Sequence, residues 1–202
     1  TEQTQLTLKE GAEGPFTVKA VYQTGTHKLE SAPTNKAVIQ VPDHNTNKYV
    51  MFERSGLCIP NAITQPLNQA TIEFCMLTTQ NINWNHQIGP GWGKFLFHSN
   101  SNNTLSVGWN TGSGNRLDVA NATPSRNKWY HIAIVIDGNK LSLYINGTKK
   151  GQLTSPNYSG LPNFGNLEFG HTSNNEWWMG GLDEIRIWSK ALTREEIRAN
   201  MS

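Results

Sequence analysis

Tryptophan rings surrounded by amides are the side chains in this sequence best suited to bind a ligand. Trp84 and Trp92 lie in residues 81–93, where amides are frequent and neither helix nor strand periodicity is visible. Trp177 lies in a similar stretch, residues 171–181. An indole ring can cover the apolar C–H face of a sugar while amides bind its hydroxyls, so this pattern favours a glycan site. The predicted ligand-binding residues are Trp84, Asn85, His86, Trp92, Asn175 and Trp177.

The acidic residues lack the spacing of a catalytic pair on one strand. Carboxylates at alternate positions of a strand line the same face, which can bring an acid and a nucleophile of a glycosidase together. No two acidic residues here are two positions apart, and Asp183-Glu184 and Glu195-Glu196 are adjacent pairs. The metalloprotease motif His-Glu-x-x-His and the hydrolase motif Gly-x-Ser-x-Gly are also missing. We therefore expect no enzyme activity, and only a catalytic pair drawn from different strands is left open.

Length and charge exclude several other classes of protein. The 202 residues suffice for one domain with a sizeable core. The formal net charge is +2 and the basic residues do not cluster, which argues against a nucleic-acid partner. The longest aliphatic run covers residues 132–136, much less than the roughly 18 residues of a membrane span. Cys58 and Cys75 fit either one disulfide or two buried thiols.

Most of the chain alternates between apolar and polar residues, as strands with one buried face do. The predicted strands are 17–22, 37–41, 48–53, 71–78, 94–98, 105–109, 129–137, 140–145, 149–153 and 182–188. Turn signals at 137–139 and 146–147 join three of them into an antiparallel series. Residues 193–201 are predicted as a helix, because Thr193 and Glu196 make a capping box. The fold class is therefore all-β, an antiparallel β-sandwich with one short C-terminal helix.

A series of motifs in the second half of the chain has a familiar order. They are Lys128-Trp-Tyr-His-Ile-Ala-Ile-Val-Ile-Asp-Gly138, Leu141-Ser-Leu-Tyr-Ile-Asn-Gly147, Leu167-Glu-Phe-Gly170, Gly181-Leu-Asp-Glu-Ile-Arg-Ile-Trp188 and Ala191-Leu-Thr-Arg-Glu-Glu-Ile197. This order resembles the laminin-G-like, or concanavalin A-like, jelly-roll family. The resemblance covers residues 48–202 as one domain and implies two curved antiparallel sheets. Residues 1–47 are predicted as an N-terminal extension, and the sequence leaves open whether they add strands to the same sandwich.

The resemblance also implies roles for the other tryptophans. Trp129 and Trp188 stand at positions that the family uses to pack its sandwich, and Trp178 matches a structural aromatic residue. Trp109 is predicted to be buried for a different reason, since it shares the parity of Leu105 and Val107. These four rings are therefore assigned to structure, which leaves the three loop tryptophans for the ligand.

Asp183 is the candidate metal ligand. It has the same parity as Ile185 and Ile187, so its carboxylate is predicted to face inward, where a charge needs a partner. The resemblance implies a structural Ca²⁺ as one such partner, held by the carboxylate together with backbone carbonyls. Backbone amides or a basic side chain are the alternatives.

The family resemblance and the loop tryptophans together predict a non-catalytic carbohydrate-binding module. Modules of this kind are usually extracellular, periplasmic or at the cell surface, often beside other domains of a larger secreted protein, so we expect the same here. A structural or adhesive sandwich that binds protein is the rival, and a glycoside hydrolase is the third choice, because this fold carries all three functions. Stacking and amide hydrogen bonds suit many sugars, so the sequence does not name the ligand.

Overall fold

The computed structural model is an antiparallel β-sandwich with one short helix. It describes residues 21–24, 27–30, 49–53, 55–80, 85–89, 95–100, 102–109, 115–156, 159–161, 163, 165–170 and 177–201. The strands are β1 Val21–Thr24, β2 His27–Glu30, β3 Val50–Phe52, β4 Leu57–Ile63, β5 Gln69–Thr78, β6 Asn85–Ile88, β7 Phe95–Ser99, β8 Thr104–Trp109, β9 Arg116–Ala120, β10 Trp129–Asp137, β11 Lys140–Ile145, β12 Thr148–Thr154, β13 Gly165–Phe169 and β14 Gly180–Trp188. Helix α1 covers Arg194–Ala199. The predicted fold class is confirmed.

The strands form two six-stranded sheets that face each other. Sheet I has the order β12-β11-β10-β5-β14-β3, and sheet II has the order β4-β13-β6-β7-β8-β9. The predicted bounds of β10 and β11 are confirmed to the residue, with Gly138 and Gly147 at positive φ in the turns that follow these strands. The apolar–polar alternation did not predict β2, β4, β6, β9 or β13, and the predicted strand 37–41 lies outside the described residues.

Aromatic side chains fill the space between the sheets. The ring of Phe74 in β5 packs against Phe97 in β7, with centroids 5.6 Å apart, and against Phe169 in β13 at 6.5 Å. Trp178 is fully buried and packs on Phe52 at 5.6 Å, so its predicted structural role is confirmed. Burial of such rings, together with the aliphatic residues of the core, stabilises the sandwich.

Strands β1 and β2 belong to neither large sheet. They pair with each other as a two-stranded antiparallel sheet, with Val21 opposite Glu30 and Thr24 opposite His27. These eight residues are the described part of the predicted N-terminal extension. Where the structure describes residues 1–47, they therefore add no strand to the sandwich.

A β-bulge in β14 overturns the predicted orientation of Asp183. Asp183 pairs with Cys75 but Arg186 pairs with Glu73, so three steps along β14 match two steps along β5. Glu184 supplies the extra residue and has a φ of +52°. The side-chain parity reverses at this point. Ile187 therefore packs against the core, whereas Asp183 faces outward with Cys75.

Helix α1 covers one part of the outer face of sheet I. Ile197 of the helix and Leu192 before it pack against Ala133 and Val135 of β10. The backbone N–H of Leu192 also donates to the hydroxyl of Thr71, at 3.0 Å. The predicted capping box is confirmed, and the helix is fixed on the sheet beside the polar residues described below.

Candidate functional site

The two segments predicted to bind the ligand start from neighbouring points at one end of the sandwich. The side-chain amide of Gln80, just after β5, donates to the carbonyl oxygen of Trp177 at 3.2 Å. The N–H of Trp178 donates to the carbonyl of Gly170 at 2.9 Å, which brings the two ends of segment 171–176 together. The described residues that adjoin segments 81–84 and 171–176 are therefore in contact with each other.

The six predicted ligand residues have different positions in the structure. Trp177 is partly exposed at the junction just described. Asn85 and His86 lie on strand β6 and not in a loop, which corrects the expectation for residues 81–93. In the ladder, Asn85 is opposite Ser99 and His86 is opposite His98. The remaining three, Trp84, Trp92 and Asn175, lie outside the described residues.

The outer face of sheet II carries a polar row that the sequence analysis did not identify. His98, Ser106 and Asp118 are in register across β7, β8 and β9. Ser106 donates to Asp118 at 2.6 Å, and Arg116 makes two hydrogen bonds to the same carboxylate, at 2.8 and 3.0 Å. Partial burial acts to raise the pKa of Asp118, but the bonds from Arg116 and Ser106 hold it below its ordinary value.

This row is accessible at β9 only. Leu96 and His98 point away from the core on β7 but are buried, with 0% and 1% of their surface exposed. Asp118 on β9 is exposed, and its hydrogen bonds are satisfied by Arg116 and Ser106. A ligand would gain little from a carboxylate that already accepts three hydrogen bonds. The junction at Gln80 and Trp177 is therefore the stronger candidate site.

The observed position of the Trp129 side chain contradicts the packing role predicted for it. The side chain is 41% exposed and lies on the outer face of sheet I, whereas the family resemblance implied a ring packed in the sandwich. It contacts Tyr49 in an edge-to-face arrangement, with centroids 5.2 Å apart. Trp129 is in register with Leu77, Leu77 with Gly181 and Gly181 with Met51, so one residue of this row has no side chain. This exposed ring is a feature that the motif alone did not predict.

Asp183 has a protein partner in the structure. One carboxylate oxygen accepts the backbone N–H of Glu184 at 2.8 Å, which is one of the alternatives left open by the sequence. Burial raises the pKa of Asp183, and the N–H of Glu184 opposes that rise. The neighbouring carboxylate of Glu184 is paired with Arg186. The described ranges contain no group of three or more His, Cys, Asp and Glu residues able to hold a metal ion. A calcium ion held by Asp183 together with backbone carbonyls stays a prediction.

A family comparison agrees with these features of the fold. The laminin G model of the concanavalin A-like lectin/glucanases superfamily matches residues 52–198, which is most of the chain. The chain belongs to this superfamily. No curated protein sequence matches it.

Several solved structures share this concanavalin A-like fold at low sequence identity. Domain 4 of AbnA, a GH43 extracellular arabinanase from Geobacillus stearothermophilus solved with arabinotriose, has 19% identity and a TM-score of 0.64, with 82% of each chain covered. The CBM40 of the Ruminococcus gnavus IT-sialidase, bound to α2,3-sialyllactose, has 18% identity and a TM-score of 0.54, covering 66% of this chain and 82% of that one. The binding domain of Paraclostridial Mosquitocidal Protein 1 has 18% identity and a TM-score of 0.60, covering 80% of this chain and 44% of that one. At these identities the likeness shows the fold.

Among the described residues of this concanavalin A-like domain, one carboxylate is completely buried. Glu73 in β5 is 0% exposed beneath helix α1. One of its oxygens accepts hydrogen bonds from the indole N–H of Trp188 at 2.6 Å and the amide of Asn200 at 3.0 Å, and its other oxygen lies 3.5 Å from His131 Nε2. Burial raises the pKa of Glu73 against those hydrogen bonds, and it lowers the pKa of His131 to about 4. The pair is sealed from solvent and is suited to hold the helix, and a substrate cannot reach it.

Proposed function

We propose that the chain is a non-catalytic carbohydrate-binding module whose ligand binds beside the contact between Gln80 and Trp177, which adjoin segments 81–84 and 171–176. The hydrogen bond from Gln80 to Trp177 carries the proposal, since it ties the two predicted segments to one point. The similar domains from an arabinanase and a sialidase were solved with bound sugars, which supports the same class of ligand here. Trp84, Trp92 and Trp177 are the proposed stacking rings, with Asn85, His86 and Asn175 as hydrogen-bond partners.

The arrangement of the carboxylates supports binding without catalysis. A glycosidase needs an acid and a second carboxylate that both reach the scissile bond, about 5 to 9.5 Å apart. Glu73 is sealed beneath helix α1, and Asp118 is held as an ion by Arg116. Asp183 and Glu184 are adjacent at a bulge, where Glu184 pairs with Arg186. None of these four described carboxylates is placed as half of a catalytic pair.

The proposed location is outside the cell, in the periplasm or at the cell surface, next to other domains of a larger secreted protein. One similar domain belongs to an arabinanase described as extracellular. The low net charge of +2 suits a neutral polymer better than a nucleic acid. In the part of the chain that the structure describes, no helix has the length and apolar character to cross a membrane.

The direct test replaces each stacking ring by alanine. Stacked aromatics in other binding sites contribute about 1–3 kcal/mol, so we expect each of Trp84→Ala, Trp92→Ala and Trp177→Ala to weaken binding by roughly five- to hundredfold. A glycan array identifies a ligand for the parent, and calorimetry then measures the variants. Melting curves must stay close to the parent curve. Reducing-sugar release from the bound polymer would contradict the non-catalytic part of the proposal.

A matched pair of glutamine variants tests the hydrogen bond between Gln80 and Trp177. Gln80→Ala removes the bond to Trp177, and Gln69→Ala removes a comparable bond at the opposite end of β5, where Gln69 donates to Asp137 at 2.8 Å. We expect weaker glycan binding for the first variant and parental binding for the second. Equal binding by both, or a parent that binds no glycan on the array, would make the proposal wrong and favour a protein-binding sandwich.

A further inference from the structure

The indole of Trp129 lies along the outer surface of sheet I. A Cβ atom added to Gly181 would meet Cη2 of Trp129 at 2.8 Å, although Trp129 and Gly181 are on strands separated by β5. Neighbouring strands are about 4.8 Å apart, so the ring must extend across β5 to reach β14. Gly181 makes this position possible, because any larger residue would occupy the same space. The ring is thus laid over the sheet with 41% of its surface exposed.

Tyr49 fixes the ring in that position. Its own ring meets the indole edge-to-face at an interplanar angle of 75°, and its Cδ2 lies 3.0 Å from the same added Cβ position at Gly181. Aromatic pairs in this arrangement contribute attraction beyond their buried area. A ring already held in place loses little conformational freedom when a ligand binds, which favours affinity. Trp129, Tyr49, Gly181 and Asp183 are called the outer platform below.

The outer platform is small and has an acidic edge. Helix α1 covers the neighbouring surface over Ala133 and Val135, which limits the open apolar area. A stable protein partner needs about 800 Å² on each side, far more than the indole, the phenol and the half-buried Leu77 and Met51 of the same row expose. Asp183 follows two residues after Gly181, and its carboxylate is on the same outer face. The size and the charge suit a single sugar ring that has hydroxyls and no negative charge.

We infer that the outer platform is a second carbohydrate subsite, for a neutral sugar ring. The C–H face of the sugar stacks on Trp129, and a hydroxyl donates to Asp183. The inference rests on the proposed function and adds a binding site on the outer face of sheet I, separate from the segments at Gln80 and Trp177. Two sites on one module bind a polymer more tightly than either site alone, because the second contact is intramolecular.

Two variants test the outer platform in different ways. Trp129→Ala removes the stacking ring. Gly181→Ala keeps both rings but adds the Cβ that displaces them, and the backbone there allows alanine because its φ is not in the left-handed region. Trp177→Ala serves as the matched control, since it removes a partly exposed tryptophan from the first site.

Calorimetry with arabinotriose, maltotriose, lactose and α2,3-sialyllactose as probes counts the sites. We expect two sugars per parent chain for a neutral probe, one for Trp129→Ala, and a second site weakened at least fivefold in Gly181→Ala. Trp177→Ala should lose the other site. Lactose should occupy the outer platform more tightly than α2,3-sialyllactose, because Asp183 repels the sialic acid carboxylate.

The outcomes separate this inference from the proposed function. A parent that binds one sugar, with unchanged binding in both platform variants, overturns the second subsite and leaves the proposed function standing. A parent that binds none of the probes and no glycan on the array overturns both. If Trp129→Ala does not fold, Gly181→Ala decides, and retention of two equal sites in that variant overturns the inference.

Discussion

His131 is the residue whose burial has the clearest consequence for stability. It is 4% exposed, and Glu73, Cys75, Asp183 and Arg186 are the ionisable groups near it on the outer face of sheet I. Burial, together with the charge of Arg186, holds its pKa at about 4, so the folded protein contains the neutral imidazole. The unfolded chain takes up a proton near the ordinary histidine pKa of about 6.5.

Acidification should therefore destabilise the protein through His131. The group's contribution to stability is complete above pH 6.5 and is lost as the pH falls toward 4, because the unfolded state binds the proton first. We expect the parent to lose about 2 kcal/mol of unfolding free energy between pH 7 and pH 5 relative to His131→Gln. Chemical denaturation at several pH values measures both proteins. Glu73 is present in both, so its opposite contribution cancels, and parallel pH profiles would contradict the prediction.

The burial of a side chain was predictable from the sequence where it did not depend on a residue far away in the chain. Trp178 is buried in the core against Phe52, as the family resemblance implied. The family resemblance failed for Trp129, since the space above the sheet depends on Gly181, which comes 52 residues later in the chain. Side-chain exposure of this kind depends on which strands become neighbours, and a motif within one strand does not contain that information.

At the scale of elements, helix α1 depends on its N-terminal cap. The hydroxyl of Thr193 accepts the N–H of Glu196 at 3.2 Å, and the Glu196 carboxylate accepts the N–H of Thr193 at 2.8 Å. A six-residue helix has few internal bonds, so the cap satisfies a large share of its free N–H groups.

Thr193→Ala should cost about 1 kcal/mol of unfolding free energy, as the loss of a helix cap usually does. Thr193→Ser is the matched control, because it retains the hydroxyl and should stay near the parental value. Urea denaturation followed by fluorescence gives both numbers. Equal losses in the two variants would mean that the hydroxyl does not cap the helix.

The strands whose bounds were predicted correctly are those whose own sequence contains both a regular alternation and a turn signal. Strands β10 and β11 alternate regularly and end in Gly-containing turns, so their bounds follow from the sequence alone. The bulge at Glu184 was not predictable in the same way, because a parity count assumes that every residue advances the strand equally. One extra residue turned Asp183 from the core to the outer face. The calcium expectation depended on that orientation.

At the scale of the whole molecule, the two cysteines are on opposite outer faces of the sandwich. Cys58 lies in sheet II between Leu57 and Ile59, which both pack on the core, and Cys75 lies in sheet I between Phe74 and Met76. Both thiols are free. Stacked sheets are about 10 Å apart, whereas a disulfide needs Cα atoms within about 7 Å. The sequence had left the choice between a disulfide and two thiols open.

We therefore expect two free thiols per chain in denatured, unreduced protein. Burial raises the pKa of Cys75 to about 11 and also raises the pKa of Cys58, so both groups should react slowly with thiol reagents in the native state. Titration with a chromogenic disulfide, with and without denaturant, measures the number and the rate. Zero thiols in the denatured sample would show that the cysteines are bridged.

The order of strands in sheet I also determines when the domain can complete itself during synthesis. Glu73 receives a hydrogen bond from Asn200, which is made 127 residues later. At about 5–20 residues per second, the ribosome needs roughly 6 to 25 seconds to cover that distance. Until β14 is made, β5 lacks one of its two neighbouring strands, and one row of its backbone N–H and C=O groups is unpaired. Nascent chains that have passed β5 but not β14 should therefore be the chaperone-dependent, aggregation-prone stage of this protein's production.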